Sequence, residues 1–107
     1  MAVSDAQIAH MRDLFDAVGP ITTRKMFGGL GIYLDGRIFA LLMSDGTLRL
    51  KGAGEMAATL DAAGWERWTY TRDSGVSAAM PYWTIPDEVQ DDPDELGEWA
   101  RRALSHL

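Results

Sequence analysis

The sequence predicts an α+β fold: a two-layer α/β sandwich of order α-β-β-β-α-β-β-α, with a mainly antiparallel sheet and helices on one of its faces. Three observations predict it. Apolar residues recur at three-and-four spacing near both ends of the chain, a period of two runs through residues 25–51, and two Asp-Gly pairs, Asp35-Gly36 and Asp45-Gly46, interrupt that alternation where hairpins would turn. Strands joined by tight turns pair antiparallel, and amphipathic helices cover such a sheet from one side. With 107 residues and neither an internal repeat nor a linker, residues 1–107 read as one domain around one core.

The first helix is expected from Ser4 to Val18, where Ile8, Met11, Leu14, Phe15 and Val18 line one face. Ser4 and Gln7 have the spacing of a capping box, and Gly19-Pro20 stops the helix because proline has no N–H to donate. If both Asp-Gly pairs are two-residue turns, residue 34 faces 37 and residue 44 faces 47. Leu30, Ile32, Leu34, Phe39, Leu41, Met43, Leu48 and Leu50 then share the core face of a three-stranded meander. The opposite face carries Tyr33, Ile38, Ala40, Leu42, Arg49 and Lys51, and its centre is more apolar than a solvated face requires.

Gly52 to Ala63 reads as a short helix closed by Gly64. Trp65 to Thr71 and Ala79 to Ile85 read as two more strands about a turn at Arg72-Asp73-Ser74-Gly75, and Pro81 places the second at an edge or a bulge, because proline cannot donate to a ladder. The last helix is the best marked. Asp92 caps it, Pro93 takes its first position, and Leu96, Trp99, Ala100, Ala103, Leu104 and Leu107 form its apolar stripe.

Composition narrows the chemistry. Without cysteine there are no disulfides, thiolate metal sites or cysteine nucleophiles. Ten Lys and Arg against sixteen Asp and Glu leave a net charge of −6, which repels phosphate over most of the surface. The N-terminus lacks the basic-then-apolar pattern of a signal peptide, and no stretch approaches the roughly 20 apolar residues of a membrane helix. A cytoplasmic location with no membrane partner is expected.

No catalytic residue, cofactor or metal ligand emerges. His10 and His106 stand at opposite ends of the chain without local partners, and no nucleophile elbow or His-Glu-x-x-His pattern is present. The seven carboxylates between Asp87 and Glu98 read as a solvated helix start that suits the helix dipole, since they lack the alternating ligands of a calcium loop. Gly28, Gly29 and Gly31 follow two cations, Arg24 and Lys25, but they enter a strand, whereas a phosphate loop opens a helix. They read as a bulge or a close backbone crossing where no Cβ fits.

The run Arg24-Lys25-Met26-Phe27-Gly28-Gly29-x-Gly31-x-Tyr33, followed by Asp35-Gly36, Phe39-Ala40-Leu41, Leu48-x-Leu50-Lys51 and Pro81-Tyr82-Trp83-x-Ile85-Pro86, resembles the N-terminal domain of the TfoX/Sxy competence regulators. The resemblance covers the chain from about Ile8 to Ala103, and the Met-Phe-Gly-Gly-x-Gly block is its most specific part. It implies the same element order reached from periodicity. It also implies a non-enzymatic role in regulating transcription of DNA-uptake genes, together with the cyclic-AMP receptor protein. Two-domain regulators continue beyond the position of Leu107 into a helical domain, so a stand-alone module is expected here, with its own task or with a second-domain chain as partner.

Three readings follow for function. The first is a regulatory or protein-interaction module whose docking face is Tyr33, Ile38, Leu42, Arg49 and Lys51; its partner is another protein, such as transcription machinery, and a homodimer through that face is the simplest version. The second is direct nucleic-acid contact by Arg24, Lys25, Arg49, Lys51, Arg67 and Arg72, with Trp65, Trp68 or Tyr70 as stacking faces. The third is a small-ligand protein or enzyme with a pocket near the glycine block.

Overall fold

The computed structural model describes residues 3–26, 28–71 and 73–107. Ser4 opens helix α1 (Asp5–Leu14): its Oγ accepts from the Gln7 N–H at 3.2 Å, and Gln7 Oε1 accepts from the Ser4 N–H at 2.9 Å, so the expected capping box is present. The helix ends earlier than its apolar stripe suggests. A 3-10 turn at Asp16–Val18 follows it, and Arg101 ties that turn down by donating to the Ala17 carbonyl at 3.0 Å.

Six strands form one open antiparallel sheet in the order β1-β2-β3-β4-β6-β5. They are β1 (Thr22–Met26), β2 (Gly29–Leu34), β3 (Arg37–Leu42), β4 (Leu48–Lys51), β5 (Arg67–Thr71) and β6 (Ser77–Thr84). Helix α2 (Glu55–Ala62) separates β4 from β5, and a single turn α3 (Asp87–Gln90) leads into α4 (Pro93–Ser105). The expected α+β order is therefore present, with β1 and α3 added to it. Asp92 Oδ1 caps α4 by accepting from the Glu95 N–H at 3.2 Å.

The core lies between the helices and one sheet face. Phe15, Met56, Leu60, Leu96 and Ala100 meet Ile32, Phe39, Ala40, Leu50 and Trp83 there, each no more than 1% exposed. Phe15 and Phe39 pack edge to face with ring centroids 5.3 Å apart. The fully buried Trp83 satisfies its indole N–H by donating to Asp61 Oδ1 at 2.7 Å.

Two irregularities change which residues face this core. Asp35 (φ 51°) and Gly36 (φ 80°) make the expected two-residue turn, so Leu34 pairs with Arg37 and Tyr33 with Ile38. The register then slips: Ile32 pairs with Ala40 and Leu30 with Leu42, leaving Phe39 as an extra residue in a β-bulge. Beyond the bulge the faces of β3 exchange. Ala40 and Leu42 turn to the core, at 0% and 4% exposure, while Leu41 and Met43 turn away and stay half-buried, reversing the expected assignment of all four.

The second hairpin is longer by one residue than a two-residue turn. Met43 donates to the Thr47 carbonyl at 2.8 Å, so Ser44, Asp45 and Gly46 form a three-residue loop, with Gly46 at φ 91°. The Asp45 carboxylate accepts from the Thr47 N–H at 2.9 Å, which holds its pKa below the usual carboxylate range. This second slip restores the parity of β4, so Leu48 and Leu50 remain in the core as expected.

Pro81 is not on an edge strand, since β6 runs between β4 and β5. It lies in a bulge, the other expected setting. Arg67 pairs with Trp83 and Thr69 with Ala79, so β6 spends extra residues opposite Trp68. Arg67 Nε closes the irregularity by donating to the Met80 carbonyl at 2.9 Å.

Candidate functional site

The sheet face turned away from the helices is the candidate site. One cross-strand row on it runs Arg24, Gly31, Leu41, Arg49 and Thr84 through successive pairings from β1 to β6. Alternation adds Tyr33 and Ile38 on one side of that row, Lys51 opposite Tyr82 on the other strands, and Trp68 and Tyr70 from β5. Four of the five residues expected to form a docking face, Tyr33, Ile38, Arg49 and Lys51, are brought together here. Leu42 still borders the hollow of this face, but the Phe39 bulge turns it to the core side at 4% exposure, and Leu41 takes its position on the open face.

This face is concave. Strands lie about 4.8 Å apart, so the edges of a flat six-stranded sheet would be separated by roughly 24 Å. Met26 of β1 and Trp68 of β5 nevertheless line the same cavity of about 360 Å³, together with Ile38, Leu41, Met43, Met80 and Tyr82. The sheet must curl for its two edges to share one hollow, and bulges such as those at Phe39 and Pro81 are what increase local twist.

The glycines of the motif have steric roles in this arrangement. A Cβ on Gly29 would stand 2.5 Å from the Leu42 carbonyl oxygen, a backbone clash. A Cβ on Gly31 would meet Met26 Cε at 2.8 Å, Tyr33 Cε1 at 3.0 Å and Ile38 Cδ1 at 3.2 Å, so its absence leaves room on the floor of the open face. Gly28 has a left-handed φ of 76° ahead of β2. Lys25 pairs with Leu30 and so belongs to the helix side of the β1 edge, unlike its neighbours Arg24 and Met26. Phe27 lies outside the described residues.

Charge is segregated. Among the described residues, none of the sixteen Asp and Glu occupies an open-face position of a strand, whereas Arg24, Arg49 and Lys51 do. The Arg49 guanidinium carbon sits 4.9 Å from the Trp68 ring centroid, and the Trp68 and Tyr82 centroids are 6.4 Å apart. Arg49 Nε is shut off from solvent and has no hydrogen-bond acceptor among the described residues. A buried donor left unpaired costs about 1–3 kcal/mol. Burial also raises the Tyr82 hydroxyl pKa, with a smaller contribution in the same direction from Tyr33.

The basic and aromatic residues considered for nucleic-acid contact do not form one patch. Arg24, Arg49, Lys51, Trp68 and Tyr70 are on the open face, but Arg67 lies over Trp83, its guanidinium carbon 4.6 Å from the ring centroid. Trp65 is 7% exposed and stacks on Trp99 at 4.7 Å. Arg72 lies outside the described residues. Among the described residues no helix is long and apolar enough to cross a membrane, and no group of three His, Asp or Glu is placed to hold a metal ion.

Leu41, Met43, Met80 and Tyr82 are the site residues that sequence reasoning missed. Pro81 was the one local signal near them, marking the bulge that brings Met80 and Tyr82 to the hollow.

The family model described as the TfoX N-terminal domain matches residues 13–107. Among curated proteins the chain is similar to DNA transformation protein TfoX1 of Aliivibrio fischeri (strain ATCC 700601 / ES114), with 24% identity over 110 residues, covering 99% of this chain and 52% of that protein. The chain thus spans about half the length of the curated relative it matches.

Proposed function

Because this chain belongs to the TfoX N-terminal domain family, a competence-related family, we propose that it is a non-enzymatic regulatory module that works by docking a protein on the open face of its sheet. The observation that carries the reading is the curled face whose hollow, without an acidic residue in its lining, is formed by Met26, Leu41, Met43, Met80 and Trp68. Apolar surface gathered in one place and rimmed by polar groups is what protein interfaces use.

Direct nucleic-acid binding is the second reading, supported by Arg24, Arg49 and Lys51 beside Trp68 and Tyr70 on one sheet face. It is disfavoured by the net charge of −6 and by a hollow built mainly from methionine and aliphatic side chains.

Site-specific photocrosslinking in the native host tests the assignment. Tyr70 is 53% exposed on the open face, and Glu98 is exposed on α4. With p-benzoylphenylalanine replacing each in turn, the expected result is a protein adduct from position 70 and none from position 98. Adducts of equal yield from both, or adducts with nucleic acid alone from position 70, would overturn it.

A further inference from the structure

Resting on that docking reading, we infer that the open face takes an acidic amphipathic peptide segment of the partner: one large apolar side chain enters the hollow, and a carboxylate beside it is received by Arg49. The hollow, about 360 Å³ in volume, is at the small end of ligand-sized sites and has room for one large apolar side chain with part of its neighbouring chain. Three of its lining residues are Met26, Met43 and Met80, whose unbranched, polarizable side chains adapt to the shape of what enters.

The charge of the occupant follows from the charge of the face. A chain of net −6 that keeps its carboxylates off the strand positions of one sheet face, with Asp45 near Arg49 only at the loop end, and places Arg24, Arg49 and Lys51 there, presents a positive surface against a negative background. Complementarity of that kind selects a negatively charged partner and rejects a positive one. Arg49 gives the recognition its geometry. Its guanidinium is oriented by the Trp68 ring, and its Nε–H lacks an acceptor among the described residues. A carboxylate can take the two terminal nitrogens of one guanidinium together, a fork-to-fork contact that lysine does not reproduce.

A nucleic acid also carries negative charge, but the lining of methionine, leucine and isoleucine offers few ring faces for bases, and Arg49 already covers Trp68. A peptide satisfies both halves of the site.

The test is a selection of random displayed peptides on the purified chain, followed by calorimetric titration of the winners against wild type, Arg49→Lys and Arg49→Glu. Circular dichroism and thermal unfolding check each variant's fold, and Lys51→Glu replaces Arg49→Glu if that variant does not fold. The expected winners pair Asp or Glu with Leu, Phe, Met or Trp. Their binding weakens by about tenfold or more in Arg49→Glu, is partly kept in Arg49→Lys, and falls as ionic strength rises. Basic or uncharged winners, no winners, or equal binding by Arg49→Glu would overturn the inference. So would a single-stranded oligothymidine that competes with the winners, or light scattering that shows a dimer dissociated by Arg49→Glu, since a nucleic acid or a second copy would then be the occupant. If the peptide arm fails while position 70 still crosslinks to protein, docking stands and the acidic chemistry falls; if both fail, both readings fall.

Discussion

Gly29 and Gly31 lie two positions apart on β2, yet what each excludes is different, and so is the cost of replacing it. A methyl group on Gly29 runs into the Leu42 carbonyl oxygen at 2.5 Å, and neither backbone can move without breaking the β2–β3 ladder. On Gly31 the obstacles are the far ends of Met26, Tyr33 and Ile38, which can rotate. Gly29→Ala is therefore expected to cost about 1–3 kcal/mol or more and Gly31→Ala less than about 1 kcal/mol, read from urea unfolding midpoints at unchanged slope. Asp61 illustrates a polar counterpart. Asp61→Ala leaves the Trp83 indole N–H without its acceptor inside the core and is expected to lose about 1–3 kcal/mol in the same measurement. The need for small residues at 28, 29 and 31 was legible in the sequence, because glycines entering a strand imply a close approach; the atoms they approach come from strands paired through long-range register and were not.

At the level of elements, the starts of α1 and α4 were the most legible features. Ser4 with Gln7, and Asp92 with Glu95, act through hydrogen bonds three residues away, so the local sequence holds all the information required. Register was harder. A bulge at Phe39 and a third residue in the loop at Ser44–Gly46 each shift pairing by one, and the two shifts cancel by the time the chain reaches β4. This is why Leu48 and Leu50 were placed correctly from a register that is wrong for residues 40–43. The bulge itself makes a sharp prediction. Leu42→Ala removes a side chain that is 4% exposed and is expected to cost about 2–5 kcal/mol, whereas Leu41→Ala, on the half-buried open face, is expected to cost less than half as much. A larger loss from Leu41→Ala than from Leu42→Ala in thermal or urea unfolding would mean that β3 follows the regular alternation after all.

For the molecule as a whole, sixteen carboxylates against ten cations oppose the compact state by mutual repulsion. Added sodium chloride at neutral pH screens that repulsion, and Tm is expected to rise by roughly 2–4 °C, the shift that about half a kcal/mol produces in a domain of this size. A Tm that falls with salt would show that attractive ion pairs outweigh the repulsion. The two-layer architecture was legible because every helix but the single turn α3 and every strand but β1 announces itself by period or composition. The curl was not, since it depends on two bulges acting on a six-stranded sheet together. It also has an optical consequence. Of the four tryptophans, Trp65 and Trp83 are buried and Trp99 packs against the core, while Trp68 lines the hollow with a guanidinium against its ring. Any binder that draws Arg49 away changes the environment of that single indole, so the protein carries an intrinsic fluorophore whose emission reports occupancy without a label.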